Sequence, residues 1–177
     1  GGSQGFNMLE PEHITENKHV PPVALTGFQL YNKPVVIGAK GSPLESSITV
    51  IPRLVLHHDQ GVFTLEFAAL DFVAPDKNQY AYKLEGLDRD WNEVGTKHTA
   101  SYTNLPAGSY TFRVRGANND GVWNQEGASL AIKVVPPFWA SWWFRLILLG
   151  IAVAAVRYVV RSARERRESL ERMNATL

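Results

Sequence analysis

The segment from about residue 22 to residue 135 alternates apolar and polar positions with a period of two. Four stretches show the pattern clearly, with these side chains on one face: Phe63, Leu65, Phe67 and Ala69; Tyr80, Tyr82 and Leu84; Tyr110, Phe112 and Val114; Leu130, Ile132 and Val134. This period is typical of strands that bury one face. Turn-forming residues separate the stretches at 58–61, 74–77, 105–108 and 118–121. The segment is therefore predicted to be an antiparallel β-sandwich, which usually has seven strands in roughly 114 residues.

The pattern changes at residue 138, where a nearly continuous apolar run extends to residue 160. As a helix this run would be about 35 Å long, enough to cross a hydrocarbon core of ~30 Å. Trp139, Trp142 and Trp143 lie at one end, as in an aromatic belt at a membrane interface. Arg145 and Arg157 can extend towards the two headgroup layers. We predict a single transmembrane helix over 138–160; the alternative is a buried core helix.

The two sides of this run carry opposite charge. Residues 1–137 contain eleven Lys and Arg against fourteen Asp and Glu, whereas residues 138–177 contain seven against three. Cationic flanks stay in the cytoplasm, so Arg157, Arg161 and the arginines after them place the C-terminus there. Residues 1–137 are then expected in the periplasm of a bacterium, anchored in the inner membrane. The overall charge of +1 argues against nucleic-acid binding by this chain.

Residues 161–177 are rich in helix-forming residues and contain neither Gly nor Pro. Leu170, Met173 and Leu177 are separated by three and four positions, the spacing of a coiled-coil seam. This spacing predicts the start of a cytoplasmic parallel coiled coil in a homodimer. A solvated juxtamembrane helix is the alternative.

Candidate catalytic chemistry is sparse. The absence of cysteine excludes disulfides, thiolate metal sites and a cysteine nucleophile. The residues 57–59 (His-His-Asp) read as a turn, and a metal there would need further ligands that the sequence does not supply. We interpret Asp88, Asp90 and Glu93 as part of a turn as well. Trp91, in the same turn, is expected to pack back on the sandwich. We expect no catalytic residue, no metal site and no cofactor.

One stretch resembles the end of a fibronectin type III domain. Leu105-Pro106 and Gly108 form a turn, and Tyr110 opens the following strand. The resemblance implies a tyrosine corner, in which the Tyr110 hydroxyl bonds to upstream backbone near Leu105. The alternative is a tyrosine that stacks on a ligand.

A wider set of positions is similar to the Y_Y_Y domain of bacterial membrane sensors, an Ig/fibronectin III-like module. Its matching positions are Tyr80, Tyr82, Leu84, Gly86, Trp91, Tyr102, Leu105, Pro106, Gly108, Tyr110 and Trp123. Residues 136–139 and the tryptophans after them continue the match towards the membrane helix. The first eleven residues are similar to the closing repeat of the propeller that precedes this module in the family.

The resemblance implies four segments: the tail of an upstream propeller with its linker (1–21), the Y_Y_Y sandwich (22–137), the transmembrane helix (138–160) and the start of a coiled-coil signalling helix (161–177). It implies a relay that couples sensing by the propeller to a cytoplasmic output domain, either a histidine kinase or a diguanylate cyclase. The expected partners are a second copy of the chain, the lipid bilayer, the propeller and an oligosaccharide bound mainly by that propeller. The alternative function is a membrane-anchored adhesion or carbohydrate-binding module without a signalling role.

Overall fold

The computed structural model describes residues 16–174, with side chains up to Ser162. The predicted propeller tail therefore lies largely outside the described residues. The chain divides into two compact units, and the boundary falls between Val135 and Pro136.

The first unit is built from strands. Between residues 16 and 135 the structure has nine: β1 (Val23–Leu30), β2 (Lys33–Pro34), β3 (Arg53–His57), β4 (Val62–Ala69), β5 (Gln79–Glu85), β6 (Asn92–Gly95), β7 (Thr99–Thr103), β8 (Gly108–Ala117) and β9 (Trp123–Val135). They form one sheet in the order β2-β1-β4-β7 and a second in the order β3-β9-β8-β5-β6.

The predicted fold class is confirmed, since two mostly antiparallel sheets make an Ig/fibronectin III-like sandwich. One pair differs: β3 runs parallel to β9, with His57 opposite Val135. The reason is that the chain leaves the first sheet after β2 and adds β3 to the edge of the second. The sequence does not predict such a parallel pair, because side chains alternate with a period of two in parallel and antiparallel strands alike.

The core lies between the sheets and is rich in aromatic rings. Phe63, Phe67 and Phe112 are fully buried, and the rings of Phe67 and Phe112 lie 6.2 Å apart between centroids. The predicted inward positions of β4, β8 and β9 are buried or pack against the core. Leu44 and Ile48, in the irregular segment between β2 and β3, are also buried and close the edge of the sandwich.

The sandwich has two distinct ends, which we call the linker end and the exit end. At the linker end, residues 16–22 join β1, and at the exit end β9 finishes at Val135. β9 has thirteen residues, about 40 Å at ~3.3 Å per residue, and it connects the two ends. The pairing of β9 with β8 is interrupted by a bulge opposite Val114 and Gly116, and this bulge requires glycine at position 127. Gly127 has φ +62°, and a Cβ added there would lie only 2.0 Å from the carbonyl oxygen of Val114.

The second unit starts with a short 3-10 turn, Phe138–Ala140, followed by the helix α1, Trp142–Asn174. The regular helix therefore begins four residues after the predicted start, because Pro137 and Ser141 both have extended backbone on either side of the turn. Residues Trp142–Ser162 are long and apolar enough to cross a membrane, with a mean hydropathy of 1.9. None of the most apolar window is buried against other described residues, in agreement with the predicted span.

The helix continues without interruption to Asn174. The side chains of Leu170 and Met173 lie outside the described part, and so does Leu177 altogether. The coiled-coil seam therefore stays a prediction.

Candidate functional site

The linker that precedes β1 is fixed to the sandwich by one fully buried amide. Asn118, in the turn between β8 and β9, donates from Nδ2 to the carbonyl oxygens of Asn17 and His19. Its Oδ1 accepts from the backbone N–H groups of Asp120 and Val122 at 3.0 and 2.9 Å. Both donors and both acceptor positions of this amide are thus used. Asparagine suits this place because its side chain bonds readily to backbone two residues on.

Further contacts tie the same linker to both sheets. The Asn17 backbone N–H donates to Asp120 at 2.7 Å, and its side chain donates to Asp71 at 2.8 Å. Asn124 at the start of β9 donates to the carbonyl oxygen of Pro21 at 2.9 Å. We call the five residues that make these bonds the linker clamp: Asn17, Asp71, Asn118, Asp120 and Asn124.

The loop that carries Asp71 is itself held in place. Asn78 is almost fully buried and donates from Nδ2 to the carbonyl oxygens of Asp71 and Ala69, at 3.2 and 3.4 Å. Asp71 Oδ1 accepts from the backbone N–H of Val73 at 3.0 Å. The clamp therefore joins three parts of the linker end: the incoming chain, the β4–β5 connection and the β8–β9 turn.

Two of the signature tyrosines connect the sheets. Tyr80 of β5 accepts a hydrogen bond at its hydroxyl from the backbone N–H of Ala69, 3.1 Å away at the end of β4 in the opposite sheet. Tyr102 of β7 donates to Asp88, in the β5–β6 turn of the other sheet, over 3.4 Å. The Tyr82 ring packs between Phe67 and Phe112 in the core. These three positions thus have structural contacts in the described sandwich.

Asp88 organises the turn at the exit end, in agreement with the turn interpretation of the sequence. Its Oδ2 accepts from the Leu84 backbone N–H at 2.8 Å and from the Asn92 side chain at 3.2 Å. Burial, with the nearby Asp88 carboxylate, raises the pKa of Tyr102 well above its ordinary value of 10.0. The same two causes raise the pKa of Tyr82. Both phenols therefore stay neutral at any physiological pH.

Tyr110 has the geometry of a tyrosine corner. Its hydroxyl donates to the carbonyl oxygen of Pro106 at 2.9 Å, one residue from the position that the sequence predicts. Gly86 makes room for the ring: it has φ +97°, and an added Cβ would lie 3.0 Å from Tyr110 Cδ1. Leu105 packs against the core, while Pro106 and Gly108 form the turn and the start of β8.

The outer face of the second sheet holds a stacked cluster that the sequence did not predict. The Arg115 guanidinium lies 4.5 Å from the ring centroid of Trp91 and 5.1 Å from that of Trp123. Trp91 therefore packs back on the sandwich, as predicted, and the side chain that it contacts there is Arg115. The alternation of Arg113 and Arg115 correctly indicated their outward side. It could not show that two tryptophans from distant turns would cover one of them.

The second unit carries the residues that the sequence predicts at the membrane interface. Phe138 packs edge-on against Trp139 and Phe144, with centroids 5.0 and 5.6 Å apart, whereas Trp142 is largely exposed. Arg157 and Arg161 lie near the other end of the apolar segment, close in sequence to Tyr158. The described residues therefore have aromatic rings at the start of the span and cations at its end.

Residues 57–60 form a turn, in which the Gln60 backbone N–H donates to the carbonyl oxygen of His57 at 2.9 Å. Within the described ranges, no three His, Asp or Glu side chains come close enough together to hold a metal ion.

The polar residues gathered at the two ends of the sandwich bond to the backbone and hold the chain in place. The linker clamp is the candidate functional site, because it fixes the linker to the strand that leads out of the domain.

Comparison with known proteins gives a consistent picture. Residues 71–135 match the model of the Y_Y_Y domain. The chain is 38% identical over 160 residues to Histidine kinase P4 of Formosa agariphila, a match that covers 90% of this chain and 12% of the kinase. The chain thus spans about an eighth of the length of that relative.

Two solved structures from B. thetaiotaomicron are similar to the sandwich. The extracellular domain of the putative hybrid two component system BT4673 superposes with a TM-score of 0.59 at 26% identity. That of BT3049 superposes with a TM-score of 0.53 at 27% identity. Each match covers 67% of this chain and 16% of the solved chain. These findings support a sensor role in signalling, with the sandwich outside a membrane.

Proposed function

We propose that this chain, whose residues 71–135 match the Y_Y_Y domain model, is the relay segment of a bacterial membrane sensor. In this proposal an upstream propeller binds the signal, an oligosaccharide. The sandwich passes the resulting displacement to the membrane helix, and the helix resets a cytoplasmic output domain of the histidine kinase or diguanylate cyclase type. The similarity to a histidine kinase and to two-component extracellular domains supports this role.

The observation that carries the proposal is the path from the linker clamp to Pro136. Asn118 and Asn124 bond to the linker, and Asn124 belongs to β9. β9 pairs with β8 over most of its length and with β3 towards its end. A movement of the linker therefore acts directly on the start of β9. This strand ends at Val135, and the second unit begins at the next residue, Pro136.

The second half of the relay is a dimer in the membrane. We place residues 1–137 in the periplasm and the C-terminus in the cytoplasm of a bacterium with the helix in its inner membrane, because cations follow the span. Two such helices would shift relative to each other when the propellers bind ligand. The change requires two arrangements within a few kcal/mol and a ligand that favours one.

The junction residues Pro136 and Pro137 provide a direct test, because their fixed φ makes the connection stiff. The full-length sensor would be expressed in a reporter strain and exposed to a panel of oligosaccharides to find one that activates it. Replacement of Pro136-Pro137 by Gly-Ser should then reduce the ligand response at least about tenfold at unchanged protein level. Replacement of Ala39-Lys40 by Gly-Ser in an exposed loop is the matched control.

A ligand response that survives the junction change would contradict the relay. The alternative, an adhesion or carbohydrate-binding module without signalling, predicts no reporter response to any oligosaccharide in the panel.

A further inference from the structure

The linker clamp lies beside an exposed apolar ridge, formed by Leu70, Phe72 and Val73. We propose that this ridge is the docking surface for the folded domain that precedes the linker in the full-length sensor. The proposal rests on the proposed function, which supplies that domain, and it names the surface through which the domain and the sandwich touch.

The ridge is unusual in its exposure. Phe72 is 82% exposed, Val73 is 74% exposed and Leu70 is 41% exposed, although all three are large apolar side chains. Single exposed apolar residues are common, but three in four consecutive positions form a contiguous patch. Only Asp71 interrupts them, and its side chain turns inward to the clamp.

The ridge is also held in one conformation. The carboxylate of Asp71 bonds to the Val73 backbone N–H and to the Asn17 side chain, and Asn78 bonds to the Asp71 carbonyl oxygen. The backbone that presents Phe72 is therefore ordered before any partner binds. A contact surface that is ordered in advance loses less conformational entropy on binding, which favours docking.

The position of the ridge identifies its occupant. Asn17 and His19 of the linker line the same shallow recess as Leu70, Phe72 and Val73. In the full-length sensor of the proposed function, the domain that precedes the linker is thus tethered next to the ridge. Tethering of this kind gives the preceding domain an effective concentration near the millimolar range at the ridge. A free second copy of the chain would have to exceed this concentration to occupy the ridge instead. We expect the docking face of that domain to be an apolar surface that covers all three side chains of the ridge, so that one substitution within the ridge leaves the contact in place.

Docking can be measured by cysteine labelling, because the chain has no cysteine of its own. Phe72→Cys would be made in the 177-residue chain and in the full-length sensor, both in detergent and with any other cysteines replaced by serine. The rate of reaction with a polar maleimide is the readout. Val50→Cys is the matched control, since Val50 is 71% exposed and lies outside the ridge.

We expect Cys labelling at position 72 to be at least about tenfold slower in the full-length sensor than in the 177-residue chain, with equal rates at position 50. Equal rates at position 72 in the two proteins would overturn the proposal. Protection in the 177-residue chain that increases with protein concentration would also overturn it, because a second copy would then be the occupant.

The labelling experiment does not depend on signalling. If position 72 is protected while the Gly-Ser junction variant signals normally, the docking surface stands and the relay fails. If position 72 is labelled equally in both proteins while the junction variant loses its ligand response, the relay stands and the docking surface fails.

Discussion

The two ends of the sandwich are held together by different chemistry. At the linker end, a fully buried amide bonds to four backbone groups, two of which belong to the linker. At the exit end, the half-buried Asp88 carboxylate and the hydroxyls of Tyr102 and Tyr110 make the contacts. The linker end therefore fixes a segment from outside the strands, whereas the exit end fixes its own turns. This difference assigns the attachment role to the linker end.

The strongest test of this comparison is Asn118→Ala. Loss of the amide leaves two backbone N–H groups and two carbonyl oxygens without their partner, and each buried polar group left unpaired costs ~1–3 kcal/mol. Because these four hydrogen bonds are only part-buried, water can replace some of them, and we expect the free energy of unfolding to fall by about 3 kcal/mol in urea titrations of the chain in detergent. Asn119→Ala in the same turn removes only one long contact to Asn17, at 3.4 Å, and should change stability by less than ~0.5 kcal/mol. Equal losses in the two variants would contradict the special role of Asn118.

Asp88→Ala tests the exit end in the same way. It removes a charged acceptor from the backbone N–H of Leu84 and from the Asn92 side chain. Hydrogen bonds to charged groups contribute ~1.5–3 kcal/mol, and this carboxylate is partly solvated, so we expect a loss of about 2 kcal/mol. Asp90→Ala, an exposed position in the same turn, is the control. If Asp88→Ala costs more than Asn118→Ala, the ranking of the two ends is wrong.

The pH dependence above 10 should come from the tyrosines near Asp88. Their pKa values are raised in the folded protein, so the unfolded chain loses these protons first as the pH increases. The contribution of Tyr102 to stability is therefore fully present below pH 10 and decreases above it, by at most ~1.4 kcal/mol per pH unit, and that of the partly exposed Tyr82 decreases in the same direction. Tyr102→Phe should remove one such contribution. Urea titrations between pH 9 and about 11 would measure the slope, and an unchanged slope in the variant would contradict the assignment.

The smallest expected effect is that of Tyr110→Phe. The change removes one hydrogen bond, to the Pro106 carbonyl oxygen, and leaves the ring in place. A neutral hydrogen bond contributes ~1 kcal/mol, so we expect a loss of about that size in thermal or urea unfolding. Tyr31→Phe, which removes another hydroxyl bond to a backbone carbonyl, is a control outside the tyrosine corner. A loss above ~3 kcal/mol would mean that the corner does more than close its own turn.

Much of the fold could be predicted because its signal is local. The alternation in β4, β8 and β9 fixes which side chains face inward, and the continuous apolar run after Phe138 indicates a helix of membrane-crossing length. The tyrosine corner was accessible through the resemblance to a fibronectin type III domain, whose corner likewise joins residues close in sequence, here four apart.

The linker clamp was not accessible to the same reasoning. Asn118 was identified as a turn residue, and nothing in its neighbourhood indicates a bond to Asn17, about a hundred positions earlier. The same holds for Arg115, which the strand alternation places on the outer face and which is covered by Trp91 and Trp123. Contacts between distant turns depend on the whole topology. A local pattern gives the direction of a side chain but not what covers it.

The parallel pairing of β3 with β9 has a mechanical consequence. The chain enters at one end of the sandwich and leaves at the other along β9, so tension between the two points acts along the strand axis. The hydrogen bonds to β8 are perpendicular to that axis and those to β3 are slanted across it, so both sets would be loaded in shear at the same time. A strand loaded in this way resists extraction far better than a hairpin that is unzipped one bond at a time. We therefore expect the domain to bear a pull along β9 without losing this last strand.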